Sequence, residues 1–388
     1  MNRLHQSAPI SRKALAEMTG LNKSTVSSLV NELIDLGFIH ETEVVVSGVG
    51  RPSVPLELAA QAGILISAEI GVGWLSSLCT DFLGDTLWSH REDFDVTLPS
   101  TVVLDRLIEI LHLAITASQD QTERQRPLGI TIALHGLVEL DTGTLLFAPN
   151  LHWRQVPVRD YVQQNFPNVP VYVDNEAKLA ALGEYVFGAA HDAHAVLYIS
   201  AGDGVGGAFI NVGQLLRGAS GFAGEFGHMT VYPDGDLCAC GNHGCWETRA
   251  SATALFRHVV FAIRAGRDSL LRGREKRLTV QMVSEAARKE DAVALAAFQE
   301  IGRDLGLGLV SLVNAFNPDL IVLGGTLCPA SDLLIPHIKA ELSRRALHWD
   351  VQSTVLLPAR HTTNASLMGG IAAIFDAIVA DPTAVAVT

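Results

Sequence analysis

Apolar residues Val26, Leu29, Val30 and Leu33 fall at i, i+3, i+4 and i+7, the spacing of one buried helix face. They predict a helix from near Asn22 to just before Gly37. The opposite face is polar, carrying Lys23, Ser24, Thr25, Ser27, Ser28 and Asn31. Upstream, Ser11 is suited to cap a short helix over residues 12–19, and Gly20 supplies the turn between the two. Downstream, residues 38–46, a Gly-rich turn containing Arg51-Pro52, and residues 54–58 read as a β-hairpin. A helix, a tight turn and a helix with a polar outer face fit the geometry of a recognition helix in a major groove; an ordinary packing hairpin has the same outline.

From residue 63 the pattern changes to strands alternating with helices, which implies α/β layers. An internal echo runs through it: Ile66-Ser-Ala-Glu-Ile-Gly-Val-Gly73 matches Ile199-Ser-Ala-Gly-Asp-Gly-Val-Gly206 at six of eight positions. Each copy is an apolar strand entering a Gly-rich turn and a second strand. Such a duplication predicts two similar lobes, each offering a backbone loop to a cleft between them. Later landmarks fit this plan: a long helix over 292–316 with glycines on its apolar face, a buried strand over 319–323 ending in Gly324-Gly325, and a closing helix over 364–380. The expected fold is therefore α/β: a winged helix-turn-helix over 1–58, then a two-lobed, actin-like or sugar-kinase-like (ribonuclease H-like) body. Its first lobe covers 63–190 with the closing helix 361–380. The second covers 191–360 and carries the cysteine loop and an oligomerisation surface.

Composition narrows the class. With 388 residues and 48% apolar content the chain can build large cores. No uncharged apolar run reaches the roughly 18 to 20 residues of a membrane helix, and the start lacks a signal-peptide pattern. A cytoplasmic protein without membrane partners is expected. The net charge of −13 argues against broad polyanion binding. Within residues 1–52, however, Arg3, Arg12, Lys13, Lys23 and Arg51 balance Glu17, Glu32, Asp35, Glu41 and Glu43, so a neutral head sits on an acidic body and permits local DNA docking.

Five cysteines are too few for a disulfide scaffold, yet Cys238, Cys240 and Cys245 crowd into eight positions, ten residues after His228. Three thiolates and an imidazole suffice for a closed tetrahedral zinc site, with Gly241 and Gly244 letting the loop wrap the ion. His243 is a competing ligand, and three reduced thiols in a loop are the plainer alternative.

Gly221-Phe-Ala-Gly-Glu225-Phe-Gly-His228 and the cysteine loop that follows resemble the signature of the ROK family, which groups repressors, open reading frames and sugar kinases. The resemblance spans residues 63–380, and residues 11–39 resemble the winged helix-turn-helix of sugar-operon repressors. It implies His228, Cys238, Cys240 and Cys245 as zinc ligands, and Asn175, Glu225, His228 and Glu247 as contacts to sugar hydroxyls. Carboxylates and an amide suit vicinal hydroxyls, which both donate and accept; solvated loop charge is the plainer reading of Glu225 and Glu247. Relatives carry a longer first helix than the six residues Met1–Gln6 allow here.

Three departures from the family's kinases point away from phosphoryl transfer. Their Asp-x-Gly-Gly-Thr phosphate loop is matched by Glu69-Ile-Gly71-Val72-Gly73, and their Gly-Thr-Gly by Gly202-Asp203-Gly204, whose carboxylate would repel a triphosphate. Asp174-Asn175-Glu176 places glutamate where they place a general base, displacing the carboxylate yet leaving it able to bind sugar. The Asn-Glu-Ala run resembles the family's xylose repressors and makes xylose a leading effector. The sequence thus predicts a sugar-responsive repressor, not an enzyme: operator DNA contacts Lys23, Ser24, Thr25, Ser27, Ser28, Asn31 and Arg51, a monosaccharide of xylose or glucose type releases it, and the protein is a homodimer or tetramer. An active sugar kinase with a DNA-binding head is the alternative, and an activator, or a regulator that answers to a phosphotransfer protein instead of a sugar, is a third.

Overall fold

The computed structural model describes residues 1, 4, 7–42, 54–119, 126–191, 193–347 and 354–383. Arg51 and most of the expected wing turn lie outside the described residues. In the head, the Ser11 hydroxyl accepts from the Ala14 N–H at 3.2 Å, starting the helix Arg12–Thr19, and Gly20 ends it at φ +72. Asn22 caps the helix Lys23–Asp35 in the same way, accepting from the Thr25 N–H at 2.8 Å. Strands β1 (Ile10–Ser11), β2 (Ile39–Glu41) and β3 (Pro55–Leu58) form a small antiparallel sheet with β3 in the middle.

The body repeats one design. The first five-stranded sheet contains β4 (Ile64–Ile70), β5 (Trp74–Thr80), β6 (Thr86–Asp93), β7 (Pro127–Leu134) and β11 (Val171–Asn175), in the order β11-β7-β4-β5-β6. The second contains β12 (Ala195–Ala201), β13 (Val205–Asn211), β14 (Gln214–Leu215), β15 (Leu320–Gly324) and β16 (Val355–Pro358), in the order β14-β13-β12-β15-β16. In both, the echo strand pairs antiparallel with its successor and parallel with the strand on its other side. The internal repeat in the sequence is thus a repeat of topology. A three-stranded sheet of β8 (Leu137–Glu139), β9 (Thr144–Ala148) and β10 (Trp153–Val156) is added beside the first.

Helix Ala292–Phe316 has the predicted span, and its glycines admit neighbours: a Cβ on Gly308 would lie 2.1 Å from the Trp246 ring, and one on Gly302 2.7 Å from His337. Helix Ala365–Ala380 forms most of Thr362–Ala380, a segment long and apolar enough to cross a membrane by composition, but most of that segment is buried inside the protein. It lies against helix Glu176–Val186 so closely that a Cβ on Gly369 would sit 1.6 Å from the Leu179 carbonyl oxygen.

Its second half joins head to body. Ile371, Ile374, Phe375 and Ile378 share one cluster with Leu15, Val26, Val30, Phe38 and Leu56 of the head. Phe82, fully buried, stands between the two, 5.3 Å from Phe38 and 5.2 Å from Phe375 by ring centroid. The predicted helix stripe holds at Val26 and Val30, while Leu33 is half-buried and Leu29 is 46% exposed. The helix packs along a line narrower than the four-residue stripe, and Leu29 instead borders a shallow apolar groove near Val379.

Because head and body share this core, Phe82→Ala should cost about 3–5 kcal/mol and lower the stability of both together. Urea unfolding followed by circular dichroism should show a single transition at lower midpoint; loss of the head's helices alone would contradict the shared core.

Candidate functional site

Strands β4, β7, β11 and β12 all run toward one cleft, and the side chains at their carboxyl ends and in the loops beyond them line it, as expected of such sheets. Asn175 ends β11 and caps helix Glu176–Val186: its Oδ1 accepts from the N–H groups of Ala177 (3.0 Å) and Lys178 (3.2 Å), and its amide donates to the Gly136 carbonyl at 3.1 Å. Asn175 therefore borders the cleft with its oxygen already used, leaving one N–H for a ligand. Glu176, at the first position of that helix, faces Gly206 of the other lobe, where a Cβ would lie 3.2 Å from its carboxylate.

From the second lobe come Glu225, His228 and Glu247, which with Asn175 and Glu176 surround one space. Glu247 opens a short helix and reaches the loop after β12, accepting from the Val205 N–H at 3.4 Å. All five sequence-predicted sugar residues are thus brought together. Burial raises the carboxyl pKa values of Glu176 and Glu225, in part offset by His135 for the first, and by His228 and Lys178 for the second.

His135 was not singled out by sequence reasoning. It follows β7, and its Nε2 lies 2.9 Å from Glu69 Oε1 while its Nδ1 lies 3.7 Å from Glu176. Ser366, at the start of the closing helix, donates to the other Glu69 oxygen. Burial opposes the charge on His135, but the carboxylates of Glu176 and Glu69 prevail and raise its pKa to about 9. The available signal was a histidine followed by glycine at the carboxyl end of an apolar strand, where ligands of such sheets bind. Lys178 was missed as well; buried inside a helix, its ammonium donates to the Gly221 carbonyl and stands near Glu225.

His228, Cys238, Cys240 and Cys245 offer ligand atoms that all lie within 4.8 Å of one another. His228 Nδ1 is 3.7 Å from Cys238 Sγ, and Cys240 Sγ is 3.7 Å from Cys245 Sγ. A tetrahedral ion held by sulfur at about 2.3 Å needs ligands about 3.8 Å apart, so the group fits a four-coordinate metal. Gly241 (φ +93) and Gly244 (φ +69) bend the loop, and a Cβ on Gly244 would meet the Tyr232 carbonyl oxygen at 1.5 Å. His243 lies outside the group, 3.2 Å from the Gly235 carbonyl. With Nδ1 toward the thiols, His228 turns Nε2 toward Glu225, 4.0 Å away.

On the head, Lys23, Ser24, Thr25, Ser28 and Asn31 are exposed and Ser27 is half-buried. Two of them are already engaged: Ser24 donates to Asn22 at 2.7 Å, and Asn31 accepts from Arg12 at 3.0 Å.

The charge on His135 has a pH signature. Its folded pKa, about 9, exceeds the ordinary 6.5, so the stability it contributes is fully present below about 6.5 and is lost as pH rises through about 9. In urea titrations the advantage of wild type over His135→Gln should shrink steadily between about pH 6 and about pH 9.5. A difference independent of pH would rule out the charged pairing.

Two family models match. The ROK family model covers residues 67–377, and a winged helix-turn-helix DNA-binding model covers residues 1–40. The chain is 36% identical over 367 residues to a xylose repressor of Bacillus spizizenii, covering 94% of this chain and 90% of that one. A solved ROK family transcriptional regulator, a homologue of the E. coli Mlc protein, superposes with TM-score 0.86 at 29% identity, covering 99% of this chain and 96% of that one. A ROK family glucokinase from Streptomyces griseus, solved with glucose and AMPPNP, gives TM-score 0.70 at 32% identity over 80% of this chain and 98% of its own. By its motifs, its duplicated sheets and the match of a family model to most of its length, the chain belongs to the ROK family and carries a winged helix-turn-helix at its head.

Proposed function

We propose that this protein is a sugar-responsive transcriptional repressor of a carbohydrate-utilisation operon. The observation that carries the reading is the fusion, through one shared core, of a helix-turn-helix head to a cleft where Asn175, Glu176, Glu225, His228 and Glu247 converge. Lys23, Ser24, Thr25, Ser27, Ser28, Asn31 and Arg51 contact operator DNA, where short hydroxyls meet phosphates or several bases. The effector is a monosaccharide of xylose or glucose type. Support for xylose comes from the repressor relatives, which align over nearly the whole chain.

Zinc is the metal best suited to three thiolates and an imidazole, held by Cys238, Cys240, Cys245 and His228. When bound it supplies a rigid brace, not chemistry. His228 fixed through Nδ1 keeps its Nε2–H as a donor toward the sugar beside Glu225. Asp203 sets a carboxylate where the family's kinases have the hydroxyl of Gly-Thr-Gly, and Glu176 faces an imidazolium. The reading is therefore of binding without phosphoryl transfer, in a cytoplasmic homodimer or tetramer whose paired heads change spacing when the lobes close on sugar.

In an operator-binding titration, xylose or glucose should weaken DNA affinity, and Glu247→Gln should abolish that response while leaving sugar-free binding intact. Unchanged affinity across a monosaccharide panel would remove the sensing role. Turnover in a coupled ATPase assay at about one per second or faster would favour the glucokinase relatives' activity instead. The purified protein should carry one zinc per chain by elemental analysis, and Cys245→Ser should lose the ion and weaken sugar binding together.

A further inference from the structure

Beyond His135 the cleft opens into a second cavity. It shares His135, Glu176, Ser200, Gly202 and Asp203 with the first and is walled on its far side by Tyr198, Thr326 and Ser366. Nothing in the proposed sensing role uses this space.

The lining is wrong for a triphosphate. Glu69, Glu176 and Asp203 present three carboxylates to it, and neither glycine turn carries a hydroxyl. The Trp74 ring lies against the first turn, where a Cβ on Gly71 would fall 2.1 Å from it. The Arg91 guanidinium, the one arginine in the lining, is stacked on that ring at 3.9 Å. The lining is equally wrong for a metal cation: both Glu69 oxygens are taken, by His135 and Ser366, and Glu176 faces the same imidazolium.

What stays unused is a set of hydroxyls. Tyr198 is 1% exposed, yet its hydroxyl has no hydrogen-bond partner among the described residues and lies at Gly324, beside the cavity. The Thr326 hydroxyl, in the same wall, is buried without a partner. Buried polar groups are costly to leave unpaired, and Tyr198 in particular had the option of being phenylalanine in so apolar a strand. Unpaired hydroxyls beside partnered carboxylates suit an uncharged molecule that both donates and accepts.

We propose that this cavity is a second polyol subsite, so that the cleft holds two sugar rings: one against Glu225 and Glu247, the other against Tyr198 and Thr326. The proposal rests on the sugar-binding reading of the first half and names what completes it. The second ring has two sources, the far half of a linked disaccharide or a second free monosaccharide. They share one chemistry and differ in stoichiometry.

Isothermal titration of the full-length, zinc-replete protein separates these cases. The probes are xylose, glucose and their β-1,4-linked dimers xylobiose and cellobiose, with Tyr198→Phe and Thr326→Val as variants that remove only a hydroxyl's hydrogen bonding. The expected result is one dimer per chain bound about tenfold tighter than its monomer, or two monosaccharides per chain. In either variant the dimer's advantage, or the second equivalent, should be lost, while affinity for the first ring stays within about twofold. A single monosaccharide per chain, with the dimer no tighter and the variants unchanged, overturns the subsite and leaves the sensing role standing. Displacement of the second ring by magnesium–AMPPNP overturns the subsite too. Absence of binding by every saccharide overturns both readings.

Discussion

Five carboxylates, from Glu69, Glu176, Asp203, Glu225 and Glu247, line one continuous cleft, and no arrangement of like charges at that density holds without counter-charge. The His135 imidazolium and the Lys178 ammonium supply it. His135 stands between Glu69 and Glu176, His228 faces Glu225 and Glu247, and Lys178 is buried in the wall near Glu225. The consequence is a cleft that is polar and crowded, with several of its carboxylates already paired. Hydroxyl-bearing ligands suit it, whereas a polyanion would have to break these pairs first.

The histidines of the cleft are tied to the scaffold. His228 belongs to the cysteine group, whose loop is anchored from behind by Trp246, donating to the Asp304 carbonyl at 2.7 Å, and by Arg249, paired with the fully buried Asp304 carboxylate at 3.0 Å. His135 is tied through Glu69 to Ser366 at the start of the closing helix. That helix ends in the core it shares with the DNA-binding head. That helix thus has its first turn at the cleft and its last turns under the head.

How much of this was legible in the sequence depended on range. Helix bounds at Arg12–Thr19 and Ala292–Phe316 followed from caps and spacing because those signals are local. The six-in-eight echo foretold two similar lobes, and their echo strands pair alike because a repeated strand, turn and strand favours a repeated pairing. The four metal-type ligands were visible because three of them lie within one short loop.

The tertiary structure decided what depends on approach from a distance. Leu29 fits a helical stripe in sequence, but only the line of packing determined that it stays exposed. Asn175 had the chemistry of a sugar contact, and the helix it caps took its oxygen. Tyr198 and Thr326 carried no motif, and His135 only a following glycine at a strand end; they matter because parallel strands from two halves of the chain deliver them to one cavity. Sequence fixes which groups can bond and which local shapes can form. Which groups find a partner, and which are left facing empty space, follows from long-range packing that no local pattern encodes.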